Sequence, residues 1–281
     1  MIVDAHHHFW DPSRADYPWM TDELAAIRRP FGPDDLSPLL AATGVDRTVL
    51  VQTRASEDET REFLETAART PFVAGVVGWG DLTDPGVGDS IERLRDGPGG
   101  RRLVAIRHQV HDEPDPDWLG RADVRRGIAA VGRAGLAYDL LVRPRELPAA
   151  LDAVQALREV RFVIDHIAKP PIASGELEPW ADLIRSFGDQ PHVWCKVSGM
   201  VTEADWPGWQ PDDLRPYVRH VLDVFGSNRL LFGSDWPVCL VVASYQQVFD
   251  AARAAFDGLS AAELGAVFGG NAIEVYRLDV A

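Results

Sequence analysis

Eight short apolar runs, separated by segments of helical character, recur along the chain at intervals of roughly 25–45 residues. They are Ile2–His6, Arg47–Gln52, Phe72–Trp79, Leu103–His108, Leu136–Val142, Arg161–Asp165, Val193–Val197 and Arg229–Phe232. Several are unbroken β formers, such as Thr48-Val49-Leu50-Val51 and Phe162-Val163-Ile164. A strand with no polar alternation is buried on both faces, which is the mark of a parallel sheet. The segments between them carry helix signals. Ser56-Glu57-Asp58-Glu59 and Ser260-Ala261-Ala262-Glu263 have capping-box spacing, and the second helix is expected to end at Gly269-Gly270. Phe63, Leu64 and Ala67 share one helical face, as do Leu214, Tyr217, Val218, Val221, Leu222 and Phe225. Eight such βα units predict a single-domain α/β fold, a (β/α)8 TIM barrel over residues 1–281. The length of 281 residues suits it, since such barrels typically take ~250.

Charge narrows the partners. A formal net charge of −15 repels a phosphate backbone, so no nucleic acid is expected. No apolar stretch approaches the ~20 residues that span a bilayer, so no membrane is expected either. The chain opens Met1-Ile2-Val3-Asp4, without the basic and apolar regions of a signal peptide, and Cys195 and Cys239 form no disulfide framework. Both features fit a cytoplasmic, reducing setting. Assembly is left between a monomer and a homodimer.

Catalytic groups of such a barrel stand at the C-terminal ends of strands. The first run ends His6-His7-His8. Alternate residues of an extended chain share a face, so His6 and His8 point together into the mouth and His7 points away. The sixth ends with His166, followed by Lys169, which could bind a substrate oxygen or be simply solvated. After the eighth comes Gly233-Ser234-Asp235-Trp236-Pro237, where Asp235 could ligate a metal, take a proton from water or cap a helix. The fourth ends Arg107-His108, with His111 nearby; if the strand stays extended, one of the first two meets substrate and the other braces the barrel. Gln52, Trp79, Tyr138 and Asp139 are further substrate contacts or packing residues. Trp10, Tyr17 and Trp19 lie on a long loop after the first run, to stack on a ligand or pack over the barrel. Cys195 reads as a buried small hydrophobe.

Taken in order, these motifs carry a resemblance. Asp4-Ala5-His6-His7-His8-Phe9-Trp10-Asp11-Pro12 with Tyr17-Pro18-Trp19, then Arg107-His108, Asp165-His166-Ile167-Ala168-Lys169-Pro170, Lys196-Val197-Ser198-Gly199, Phe232-Gly233-Ser234-Asp235-Trp236-Pro237 and Gly270-Asn271-Ala272 span essentially the whole chain. The sequence resembles the amidohydrolase-2 group of the amidohydrolase superfamily, and within it the sugar-lactonase branch that includes L-fuconolactonase-like and L-rhamnono-lactonase-like proteins. The resemblance implies a (β/α)8 barrel acting on a carbonyl or carboxyl substrate. By position, His6, His8, His166 and Asp235 match the group's site. Where many members carry a lysine or glutamate on strand 4 and a histidine on strand 5, this chain has Arg107-His108 and Tyr138-Asp139, which argues against two metals. The resemblance leaves two options: one divalent ion, zinc first, on His6, His8, His166 and Asp235, or metal-independent catalysis.

The implied reaction is opening of a sugar lactone to its aldonic acid. Asp235 is the base, the three histidines stabilise the oxyanion, and Trp10, Gln52, Trp79, Arg107, His108, His111, Lys169 and Trp236 are candidates to bind the substrate. The rivals are a metal-dependent decarboxylase of the same group and a catalytically silent barrel that binds a sugar or a partner protein.

Overall fold

Each apolar run becomes a strand, and the strands pair in chain order as a parallel sheet. The computed structural model describes residues 1–280; Ala281, the last residue of the expected domain, lies outside them. Among the described residues the strands are β1 (Val3–His7), β2 (Arg47–Val51), β3 (Val73–Gly78), β4 (Leu103–His108), β5 (Ala137–Leu140), β6 (Arg161–Ile164), β7 (Val193–Val197) and β8 (Leu230–Phe232). Between and after them run α1 (Pro33–Thr43), α2 (Glu57–Arg69), α3 (Val87–Asp96), α4 (Ala122–Arg133), α5 (Leu147–Ala156), α6 (Trp180–Arg185), α7 (Pro211–Phe225), α8 (Tyr245–Ala255), α9 (Ala261–Gly265) and α10 (Asn271–Tyr276). This is a single (β/α)8 barrel, with boundaries within a residue or two of those expected. No described helix is long and apolar enough to cross a membrane.

The seam between β8 and β1 closes just beyond the end of β8. Asp235 N donates to His6 O at 2.8 Å, and His8 N donates to Trp236 O at 2.7 Å. Asp4, fully buried in β1, pins the seam by accepting from Ser234 N (2.9 Å), His6 N (3.1 Å) and the Tyr245 hydroxyl (3.0 Å). These bonds pair strand 1 with the segment that carries Asp235.

One local expectation needs correction. Ser56 caps α2 through Glu59 N, but the Glu59 carboxylate does not return to Ser56. It accepts from Thr53 N (2.8 Å) and Arg54 N (2.9 Å), tying down the loop after β2. The helix begun by Ser260 breaks at Gly269, whose extended φ of 177° separates it from α10, so it ends where Gly269-Gly270 was expected to end it. Gly269 makes this route possible, because a Cβ there would stand 2.4 Å from Met1 O. Val275, Tyr276 and Leu278 then pack with Val3, Val49, Ala74 and Ala137 at the N-terminal ends of the strands, closing the bottom of the barrel. Within α7, Leu222 lies at the edge of the buried stripe and the other five residues lie inside it.

His7 faces away from the mouth, as alternation requires. Its Nε2 lies 2.8 Å from Thr48 Oγ1, and burial depresses its pKa from 6.5 to about 3. The fold therefore holds the neutral ring, and between pH 6.5 and about 3 the unfolded chain binds more protons. Stability is lost as pH falls through that window, at a limiting slope on the order of 1 kcal/mol per pH unit from this group. The thermal midpoint of His7→Gln should fall less steeply than that of the parent between pH 6.5 and 4; equal slopes would contradict this assignment.

Candidate active site

The alternation of β1 sends His6 and His8 to one side, where both meet Asp235. His8 Nδ1 lies 2.7 Å from Val51 O. A carbonyl only accepts, so Nδ1 bears a proton and Nε2 is the nitrogen turned toward Asp235. That Nε2 stands 3.4 Å from Asp235 Oδ1, with His6 Nε2 at 3.8 Å and His166 Nε2 at 4.0 Å from the same oxygen. Gly233 permits the approach, since a Cβ there would lie 2.7 Å from that of His6.

His166 arrives by an uncommon route. After β6 the chain does not enter an ordinary turn. His166, Ile167, Ala168 and Lys169 hold φ of 53°, 48°, 60° and 50°, four successive non-glycine residues in the left-handed region. Each costs roughly 1–2 kcal/mol relative to right-handed backbone. Burial of Ile167 and Ala168 offsets this, as does the Trp180 Nε1 bond to Ile167 O at 2.7 Å. Asp235 is left-handed too, at φ 56°. Strain of this kind persists where the surroundings over-determine it, which is common at functional sites. The His166 ring lies against Gly199, with Nδ1 3.0 Å from Ser198 Oγ.

Burial depresses the pKa values of His6 and His166 well below 6.5. Burial alone would push Asp235 up. His166, His8 and Lys169 outweigh it and hold the carboxyl below its usual range. A carboxylate oxygen thus faces the His8 Nε2 at 3.4 Å in a buried site. An anionic oxygen and a ring nitrogen so placed are bridged by a proton or by a cation. Nitrogen and oxygen donors bonded at 2.0–2.2 Å to one ion stand roughly 3–4 Å apart, which matches this cluster. His6, His8 and Asp235 lie within 4.8 Å of one another, as do His6, Asp165 and His166. Each ring is oriented from behind: His8 by Val51 O, His166 by Ser198, and His6 by Asp165, whose Oδ1 is 3.4 Å from His6 Nδ1. The residues fit one divalent metal ion.

Over the cluster opens a cavity of about 400 Å³. Of the residues singled out in the sequence, His8, His166, Asp235, Arg107, His111 and Lys169 line it, and fully buried His6 lies just beneath. Several others do not reach it. Trp10 is buried with its Nε1 on Ile27 O, and Gln52 is buried with its amide on Arg107 O. Trp236 is enclosed between Phe9 and Phe31. Trp79 donates to His108 Nδ1 at 3.1 Å, and His108 stacks on Trp118 and bonds Glu113, so that pair braces the outside of β4. Tyr138 and Asp139 are buried and away from the cavity. The aromatic loop divides: Tyr17 packs over the barrel with Trp10, while Trp19 reaches the cavity. Sequence reasoning missed Glu203, Arg143, Asp112 and Trp206, all on connecting loops with no periodic pattern to mark them. Glu203 lies 2.7 Å from Lys169 Nζ across the wall. Burial raises the Cys195 pKa, as befits a packing residue.

An added methyl at Gly199 would lie 2.4 Å from His166 Nδ1, on backbone with φ +60°. Gly199→Ala should displace the imidazole and lower turnover at least tenfold while the protein still folds; unchanged turnover would show that the ring's position is not critical.

Comparison with known proteins agrees with this geometry. The family model described as Amidohydrolase matches residues 3–278. An L-fucono-1,5-lactonase from Burkholderia ambifaria is 44% identical, over 99% of this chain and 96% of its own. One from Burkholderia multivorans is 40% identical, over 98% and 96%. A crystal structure of a Burkholderia multivorans amidohydrolase with bound zinc superposes with a TM-score of 0.93 at 39% identity, covering 99% of this chain and all of that one. With the ordered strand-end residues, the barrel and the matched model all in agreement, the chain belongs to the amidohydrolase family.

Proposed function

We propose that the protein hydrolyses a sugar lactone of the L-fucono-1,5-lactone type to its aldonic acid. The observation that carries the reading is Asp235, an ionised carboxylate among three imidazoles on the floor of a cavity of about 400 Å³, room enough for a sugar ring. Two lactonase relatives at 44% and 40% identity support the substrate class over the decarboxylase and silent-barrel alternatives.

In this reading a water oxygen attacks the lactone carbonyl carbon while Asp235 takes its proton. A carboxylate held below its usual range is a weak base, so the water must be made more acidic. His6, His8, His166 and Asp235 would hold a divalent ion, for which we propose zinc, and bound there it would lower the pKa of water and polarise a carbonyl oxygen. Arg107, which lines the cavity with Nη1 3.3 Å from His6 Nε2, places its positive charge beside the developing oxyanion. The bond from carbonyl carbon to ring oxygen then breaks, and the proton held by Asp235 passes to the leaving alkoxide. The Lys169–Glu203 pair, His111, Asp112 and Arg143 bind the ring hydroxyls, and Trp19 and Trp206 flank the ring.

A pH-indicator assay over aldono-lactones should register one acid per turnover. Asp235→Asn should lower the rate by at least about 10³-fold with the fold intact, and near-normal turnover would remove Asp235 from the base role. Chelation of bound metal should lower both rate and thermal midpoint, with zinc restoring them. Carbon dioxide release from an aromatic or unsaturated acid, with no lactone opened, would favour the decarboxylase reading.

A further inference from the structure

Barrels of this kind usually fill their interior with layers of branched apolar side chains. Here the layer beneath the site is ionic. Arg107 of β4, Asp139 of β5, Asp165 after β6 and Lys196 of β7 are each at most 3% exposed. Lys196 Nζ lies 2.6 Å from Asp139 Oδ2, 2.8 Å from Asp165 Oδ1 and 3.3 Å from His6 Nδ1. Arg107 Nη1 holds the other Asp165 oxygen at 2.9 Å. Asp139 Oδ2 also accepts from the Tyr276 hydroxyl at 2.8 Å, and Tyr276 belongs to α10, which closes the opposite end of the barrel. A continuous chain of contacts, Tyr276–Asp139–Lys196–Asp165 and His6, therefore crosses the barrel from its closed end to its site.

Stability does not account for this arrangement. Burying ionic groups is costly, and well-packed apolar replacements are often neutral or stabilising. What the cluster does achieve is to fix His6. Asp165, gripped on both oxygens, and Lys196 together surround His6 Nδ1 and set the orientation of the ring.

We propose that Lys196 and Asp139 are positioning residues for the reaction, anchored by Tyr276, so that the C-terminal helix at the closed end holds His6 in place at the open end. This rests on the reading that His6 belongs to the reacting centre.

Two variants test it. Tyr276→Phe deletes one oxygen and should lower kcat about threefold to tenfold at unchanged KM. The double variant Lys196→Met with Asp139→Leu removes one charge of each sign and spares the Arg107–Asp165 pair. It should lower kcat about 10–100-fold, with KM within about twofold and a thermal midpoint no lower than the parent's. The ring ¹⁵N signals of His6, assigned against His6→Gln, should shift in the double variant. Unchanged kcat in both folded variants would overturn the proposal, as would a fall in thermal midpoint with kcat and His6 signals untouched. If the parent opens no aldono-lactone, the functional reading fails, and the His6 signals still decide the positioning role: a shift sustains it, and unshifted signals refute it.

Discussion

Closure of the barrel between strand 1 and the segment after strand 8 is the constraint on which the site depends. The Asp235 N to His6 O and His8 N to Trp236 O bonds are backbone contacts, yet they bring the Asp235 carboxylate to the two imidazoles of β1. Asp4 accepts from both sides of the seam and holds them together. Because sheet closure and site assembly use the same residues, a defect in one is a defect in the other. The remaining imidazole, His166, must come from β6, and the left-handed stretch His166–Lys169 is how the chain turns it inward.

The site's electrostatics follow from its depth. Burial pushes the His6 and His166 pKa values down, and Asp235 keeps its charge because neighbouring groups outweigh its desolvation. Four successive left-handed residues at His166–Lys169 add strain beside this buried carboxylate. Such local costs are what a site pre-organised for charge development is expected to carry. The ionic layer below extends the pattern into the barrel interior, where an ordinary barrel would be apolar.

Much of this was legible in the sequence because it is local. Strands buried on both faces write themselves as apolar runs, and two-residue alternation separates His6 and His8 from His7. Alternation also split Arg107 from His108, placing the first at the cavity and the second against Trp118. Long-range features were not legible. Nothing in Asp165-His166-Ile167-Ala168-Lys169 announces left-handed backbone, since no glycine or asparagine occurs there. Glu59 was read as a cap because spacing shows a neighbour along the helix, and it cannot show the backbone amides of Thr53 and Arg54 in the preceding loop. Lys196, inside an apolar run, gave no sign of its partners on β5 and β6, which only closure of the cylinder brings near. Glu203 and Arg143 sit on loops, where position is decided by tertiary contacts.

The central claim is that water, deprotonated by Asp235, attacks the carbonyl carbon directly. A single turnover in H₂¹⁸O, with enzyme in excess over an aldono-lactone, tests it. The account predicts one ¹⁸O in the carboxylate of the first product and none in the protein. An unlabelled first product with the label in the Asp235 side chain would make that residue a nucleophile and contradict the account.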